Sequence, residues 1–294
     1  FVNESGRHWL TALNTWRSFE RTRPQAARVW TNVDRLYTFL LRRMPFIRPD
    51  FQGIRADIYP IRLWTVPVFI FALLPLIRAR RCGRMVVGNE YDTSRQEHLL
   101  GVPHFDGLFD QSVWFDRMMT RYFARKGWPL RQFSLLRPFS ELLIQGILAR
   151  RYPDLLAEQV SCHAAHSHNG RVLPCGRCEK CRRILSMLSA LGQDVSACGY
   201  TPGQRDSALA LLPQDHLHQD EETTGHTRHL LAQRGLLPDP ERHPPWPWAF
   251  HLRFHPRFSP EQEIPEDLRL PLLALLEEET DGVSVWSAGS WNAR

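Results

Sequence analysis

The sequence predicts an α/β fold: a parallel sheet with helices on both faces, followed by a helical and loop-rich C-terminal appendage. Three observations carry this expectation. Short β-branched or wholly apolar runs alternate with segments of helical periodicity, which is the pattern of β–α–β units. Those runs are apolar on both sides, as strands covered on both faces must be. Past about Tyr200, Pro, His and acidic residues become frequent, and His243-Pro-Pro-Trp-Pro-Trp248 is irregular. The expected domains are therefore 1–203, the α/β body, and 204–294, the appendage.

Phe1-Val2 reads as the end of a strand, followed by the polar turn Asn3-Glu4-Ser5-Gly6. Trp9, Leu13 and Trp16 mark one face of a first helix. Ala27–Thr31 fits a strand, and Asn32 suits the cap of a helix carrying Val33, Leu36, Tyr37 and Leu40. Leu63–Ile77 is apolar and interrupted by Pro67 and Pro75. At fifteen residues it is short of the about 20 that a membrane span needs, so a buried helix is expected and membrane insertion is not. Arg84–Gly88 reads as a buried strand with the polar loop Asn89-Glu90-Tyr91-Asp92 directly after it. A long amphipathic helix from Asp106 carries Phe115, Met118, Met119, Tyr122 and Phe123, with Gly127 as its stop. Arg131–Leu136 is another strand. Pro138 suits the first position of a helix that carries Leu142, Leu143, Ile147 and Leu148 and ends before Pro153. A last clear helix holds Ile184, Leu185, Leu188 and Leu191, stopped by Gly192.

Composition narrows the function classes. Hydrophobic residues make up 43% and charged residues 23% of the 294, which excludes wholesale disorder. The net charge of +6 is spread along the chain. It permits an anionic ligand such as a nucleotide and gives no particular support to nucleic-acid binding. Six Cys occur, four of them at 162, 175, 178 and 181. A disulfide scaffold would distribute them over a small secreted domain. Reduced thiols and a cytoplasmic location are the simpler reading.

The cysteines give the sharpest chemical signal. Cys175, Cys178 and Cys181 are separated by two residues each, Gly176 eases the turn, and Cys162 completes a set of four. Four thiolates fill zinc's tetrahedral shell, so the expected site is structural. Arg177, Lys180, Arg182 and Arg183 are placed to offset its negative charge. Cys82 and Cys198 read as small buried residues. Glu90 and Asp92, after a strand, suit Mg²⁺ binding or acid/base work, or form a solvated loop. Arg137 and Glu141 straddle a strand-to-helix turn. Arg137 could grip a carboxylate or phosphate, or pair with Glu141 four residues on. Asn3, Glu4, Ser5, Asn32 and Asn89 also follow strands, where ligands of parallel sheets bind, and are expected to contact a cofactor. The polar run Asp215, His216, His218, Asp220, Glu221, Glu222, His226 and His229 reads by default as a solvated face, with a second metal site as the alternative.

The order of strand, polar loop and helix, then GNEYD, SLLRPFSEL and SCH…CGRCEKC, resembles the N-type ATP pyrophosphatase (PP-loop) superfamily over roughly residues 1–200. Two branches are similar: 7-cyano-7-deazaguanine synthase in the four-cysteine motif, and UDP-N-acetylmuramoyl-L-alanyl-L-glutamate epimerase in both LLRPFSEL and CGRCEKC. The resemblance implies a Rossmann-like, adenine nucleotide alpha-hydrolase-like body with a zinc knuckle, and ATP with Mg²⁺ as cofactors. It implies activation of a small carboxylate with release of pyrophosphate, serving an epimerase or a ligase. Glu90, Asp92, Arg137 and Glu141 are then the candidate catalytic residues. The superfamily's SGGxDS phosphate loop is absent from the chain and is expected upstream of residue 1. Two alternatives stand beside this reading: a catalytically degenerate superfamily member acting as a scaffold, and a basic zinc protein that binds nucleic acid.

Overall fold

A computed structural model of the chain describes residues 2–3, 9–33, 35–36, 39, 43, 65–105, 109–162, 164–212 and 219–294. Two compact units emerge, one comprising 1–82 and 160–175, the other 83–159 and 176–294. The expected boundary after residue 203 is not where these units divide: 204–294 belongs with 83–159 and 176–203.

The first unit contains β1 (Val2–Asn3), α1 (Trp9–Thr22), β2 (Val29–Trp30) and α2 (Thr65–Ala79). The hairpin of β7 (His166–His168) and β8 (Arg171–Leu173) belongs to the same unit. β1 and β2 are parallel, with Val2 opposite Val29. The apolar segment expected from Leu63 is the helix α2. It buries Ile70 and Leu74 while Phe71 is exposed, so it has one packed face. Among the described residues no helix is long and apolar enough to cross a membrane. The helix expected after Asn32 lies mostly outside the described residues.

In the second unit β3 (Arg84–Val87) pairs in parallel with β6 (Arg131–Ser134), Met85 facing Gln132. Between them come the antiparallel hairpin β4 (Gln96–Leu99) and β5 (Val102–Phe105), and α3 (Val113–Arg125). The hairpin was not expected. α3 begins later than Asp106 because Ser112 provides the cap, its hydroxyl accepting the Phe115 N–H at 3.2 Å. Gly127 ends this helix at φ +67°, where a side chain would be strained. Thr120 ties α3 to β6, its hydroxyl accepting the Gln132 N–H at 3.0 Å.

α4 (Glu141–Arg151) likewise starts at a serine cap and not at Pro138: Ser140 accepts the Leu143 N–H at 3.0 Å and donates to the Ala249 carbonyl at 2.6 Å. α5 (Pro153–Ala157), α6 (Glu179–Ala190), α7 (Pro202–Leu211) and α8 (Glu221–Gln233) follow. Then come β9 (Leu252–Phe254), α9 (Glu266–Leu276), β10 (Val283–Ser287) and β11 (Ser290–Ala293). The last three strands form a mixed sheet in the order β11-β10-β9, with β9 and β10 parallel. The appendage is therefore not simply helical and loop-rich. Its Leu252, Phe254, Ile264 and Leu276 share one core with Phe139, Leu143 and Ile147 of the α4 region, which is why no boundary falls near 203. A second core joins Ala190, Leu209, Leu212, Leu231 and Leu237.

The fold is mixed α/β. Among the described residues the strands make four two-stranded sheets and one of three strands. The continuous parallel sheet of the sequence reading is represented by short parallel pairs.

Candidate metal centre and buried ionic site

The four expected cysteines come together. One sulfur each from Cys162, Cys175, Cys178 and Cys181 lies within 4.8 Å of the others, and the Cys178 and Cys181 sulfurs are 3.4 Å apart. A zinc ion bonded to four sulfurs at about 2.3 Å requires S···S edges of about 3.8 Å, which these separations bracket. The backbone N–H groups of Ala164 and Cys175 donate to the Cys162 sulfur at 3.3 and 3.2 Å. Such bonds favour a thiolate. Gly176 takes φ +72° in the turn, and Cys178 is the N-cap residue of α6, with Cys181 in the first turn. The residues present fit a structural tetrathiolate metal site. Of the basic residues expected to neutralise it, Arg183 is engaged elsewhere: its Nε lies 3.2 Å from the Glu141 carboxylate. His163 lies outside the described residues, and His166 and His168 are exposed on β7.

The second site follows the carboxyl ends of β3 and β6. Arg137, after β6, is 2% exposed. Its Nη2 meets Asp116 at 2.7 Å, and its Nη1 donates to Thr93 Oγ1 at 2.6 Å, Gln111 O at 3.0 Å and Glu90 O at 3.3 Å. Gln132 Nε2 donates to the other Asp116 oxygen at 2.8 Å. Arg137 thus pairs with Asp116 and not with Glu141, and it is spent on the protein and not offered to a substrate. It fixes the 90–93 loop. Burial pushes Asp116 up and Arg137 down, each towards its neutral form, and their contact opposes both shifts.

Asp92, buried in that loop, faces the start of α8 and β9. Asp220 caps α8, accepting from Thr223 N at 2.9 Å and from the Thr223 hydroxyl, and its own N–H donates to Asp92 Oδ2 at 3.3 Å. Arg253 of β9, fully buried, meets Glu222 at 2.6 Å and lies 3.6 Å from Asp220 and 3.9 Å from Asp92. Its guanidinium stacks 4.1 Å over Tyr91, and Arg95 lies 3.8 Å from Asp220. Burial, then the adjacent Asp220, holds the Asp92 carboxyl well above its usual range. Burial acts to raise Asp220 too, but Arg253, the bond from Asp92 and the Thr223 donors outweigh it and leave it low. Glu141 is pushed up to about 7 by burial, with Arg183 opposing, and burial raises Glu90 also.

Asn89, Glu90, Asp92, Arg137 and Glu141 are thus placed in one unit by the loop after β3 and the turn after β6. Guanidinium groups face Asp92 and Asp220, and among the described residues the four cysteines alone form a cluster of metal-ligand atoms. The Asn89 carbonyl accepts from Ser134 Oγ at 2.7 Å, a structural duty. Asn3 ends β1 and Asn32, exposed, follows β2, both in the first unit. Glu4 and Ser5 lie outside the described residues, as do Asp215, His216 and His218.

The solvated face expected around Asp220 is corrected: Asp220, Thr223, His226 and Thr227 are buried. His226 accepts the Trp246 N–H at 3.0 Å, so the Pro-Trp stretch is packing. Cys82 is exposed, contrary to expectation, and Cys198 is buried, its thiol raised to about 11 by burial. Asp116, Arg183, Asp220, Glu222 and Arg253 were not picked out as one site. Asp220 and Glu222 carried a signal as members of a polar run of His and acidic residues, and Arg183 only as a counter-charge to the cysteines. Comparison with protein-family models, curated proteins and solved structures gives no match.

Proposed function

We propose that the protein is an ATP-dependent enzyme that activates a small carboxylate with release of pyrophosphate, acting as an epimerase on a peptidyl-glutamate substrate or as a ligase. The observation that carries this reading is convergence. Glu90, Asp92, Arg137 and Glu141, singled out by motifs spread over fifty positions, stand in one buried ionic site beyond the carboxyl ends of parallel strands. That is where open α/β sheets bind ligands, and perturbed carboxyls clustered there mark functional sites. In this reading β3 and β6 belong to a Rossmann-like sheet, and the four cysteines hold a structural zinc ion. A tetrathiolate needs reduced cysteines, which supports a cytoplasmic setting.

ATP supplies the leaving group that makes the carboxylate reactive. The chain's own residues do the rest. Arg137 and Asp116 hold the 90–93 loop rigid. Asp92 and Asp220 offer a neutral and an ionised carboxyl in contact, suited to moving a proton. Glu141, with its pKa at about 7, is poised for the same work near neutrality.

The test is pyrophosphate release from ATP by the full-length protein, given a panel of glutamate-terminated peptides and other carboxylates. Carboxylate-dependent release is the expected result. Its absence across the panel, with zinc bound and the protein folded, overturns the reading.

A further inference from the structure

We propose that Asp92 and Asp220 form a buried acid–carboxylate pair that holds one proton and serves as the acid–base element of the site, with Asp92 the member that exchanges it. The pair's placement stands on geometry, the Asp220 N–H donating to Asp92 Oδ2 at 3.3 Å with Arg253 facing both; its use in catalysis rests on the function proposed above.

Charge balance is the first argument. Within ion-pair distance stand three carboxyls, Asp92, Asp220 and Glu222, and two guanidiniums, Arg253 and Arg95. One proton shared among the acids leaves two negative charges against two positive ones around the buried Arg253. The proton belongs to Asp92. Asp220 is committed as an ionised cap, with both oxygens turned to Thr223, and Glu222 is paired with Arg253 at 2.6 Å.

The second argument is unmet hydrogen-bonding capacity. Asp92 Oδ1 and the Nε and Nη2 atoms of Arg253 are buried without a hydrogen-bond partner. Nη2 is directed between the two aspartates at 3.6 and 3.9 Å, beyond hydrogen-bond length. A positive edge aimed at two carboxyls and saturating neither stabilises Asp92 when its proton departs. The Asp92 side chain keeps 10% exposure and that of Asp220 none, so exchange passes through Asp92. Glu90 and Arg95 from its own loop, Asp220 at the cap of α8, Arg253 from β9 and Arg183 from α6 all act on this proton. Burial and the neighbouring Asp220 charge hold the Asp92 carboxyl in its protonated form.

The chemistry balances. Asp92 acts as a base once it has released its proton through its exposed edge, where the Arg253 guanidinium faces the carboxylate and Asp220 stays ionised. The substrate C–H bond breaks and an O–H bond forms on Asp92, while the electron pair stays on carbon, delocalised into the activated carbonyl. The return step breaks that O–H bond and restores C–H. No oxidant or reductant enters.

The experiment uses full-length protein carrying ¹³C at the aspartate side-chain carboxyls. A protonated-carboxyl signal is expected at neutral pH in the wild type, lost in Asp92→Asn and kept in Glu222→Gln. No such signal, or one that survives Asp92→Asn, overturns the proposal. Should Asp92→Asn fail to fold, Asp220→Asn must move the signal by removing its hydrogen-bond partner; an unmoved signal overturns the proposal equally. In the second readout, deuterium wash-in from D₂O at the carbon next to the carboxylate of a glutamate-terminated peptide, with ATP, falls at least about 100-fold in Asp92→Asn. Undiminished wash-in refutes the catalytic role. Failure of the wild type to release pyrophosphate would sink the proposed function and leave the carboxyl signal standing, so the two failures are distinguishable.

Discussion

Replacing Asp116 with Ala removes the only carboxylate, among the described residues, within ion-pair distance of Arg137, and both side chains are 2% exposed. Two contacts vanish: the Arg137 bond at 2.7 Å and the Gln132 bond at 2.8 Å. Hydrogen bonds to charged groups contribute about 1.5–3 kcal/mol each. Breaking a buried ion pair from one side costs about 3–5 kcal/mol, because the surviving charge stays desolvated. The two routes agree on a loss of about 4 kcal/mol. Asp116→Asn keeps an acceptor for Arg137 and removes the charge, so it should cost about half as much. Urea unfolding reads the difference directly: with an m-value of about 3 kcal/mol/M, the Ala variant's midpoint falls by about 1–1.5 M at unchanged m. A loss below about 1 kcal/mol for Asp116→Ala would show that Arg137 finds water or another acceptor, and the account of the rigid 90–93 loop would fail. An Asn variant as costly as the Ala variant would show that the charge, and not an acceptor in the right place, holds the loop.

Cys178→Ser should abolish stoichiometric zinc, measured by elemental analysis, and lower stability by several kcal/mol, since binding energy at such sites is folding energy; equal metal content in the variant refutes the tetrathiolate. Gly176→Ala should weaken zinc retention against a chelator and destabilise by about 1–2 kcal/mol, the cost of a non-glycine residue at positive φ. Its Cβ would also fall 2.3 Å from the Gln204 side chain, which closes the capping box of α7; unchanged retention counts against the strained turn. For Glu141, raised from 4.5 to about 7, the folded state holds the proton more tightly than the unfolded chain. Stability is therefore highest at the acid end of that window and falls as pH rises through it, by up to about 3 kcal/mol. Glu141→Gln should flatten this slope in a pH series of urea midpoints. A residual fall of the same sign should remain from Asp92, and an unchanged slope refutes the assignment.

What the sequence made legible divides along physical lines. Metal ligands at C-x2-C spacing are constrained locally, so Cys175, Cys178 and Cys181 declare themselves, and the loop supplies Cys162 nearby. Apolar periodicity located β3, β6, α2 and α6 for the same reason. Starts of helices were misjudged where a serine cap overruled a plausible first residue, at Ser112 and Ser140. The hairpin of β4 and β5 escaped notice because Gln96–Leu99 is polar and its turn, Leu100-Gly101, puts an exposed Leu at φ +52°. Ion-pair partners were least legible. Arg137 reaches Asp116 and Arg253 reaches Asp220, over 21 and 33 positions, and nothing local to either arginine specifies its mate. The i,i+4 rule named Glu141 for Arg137, but burial of α4 against α6 gave Glu141 to Arg183.

The buried charges themselves argue for function. Replacing a buried ion pair by well-packed apolar residues is often neutral or stabilising, so Arg137–Asp116 and Arg253–Asp220–Asp92 are poor devices for holding a fold together. The second unit buries two apolar cores, around Leu143 and Phe254 and around Leu212 and Leu231. The charges lie where the loop after β3, the turn after β6 and the capped start of α8 meet. α6 adds Arg183, two residues beyond the cysteine in its first turn. A metal that fixes that turn fixes where Arg183 meets Glu141. A metal bound there would tie the four-cysteine centre to one edge of the ionic site through Arg183.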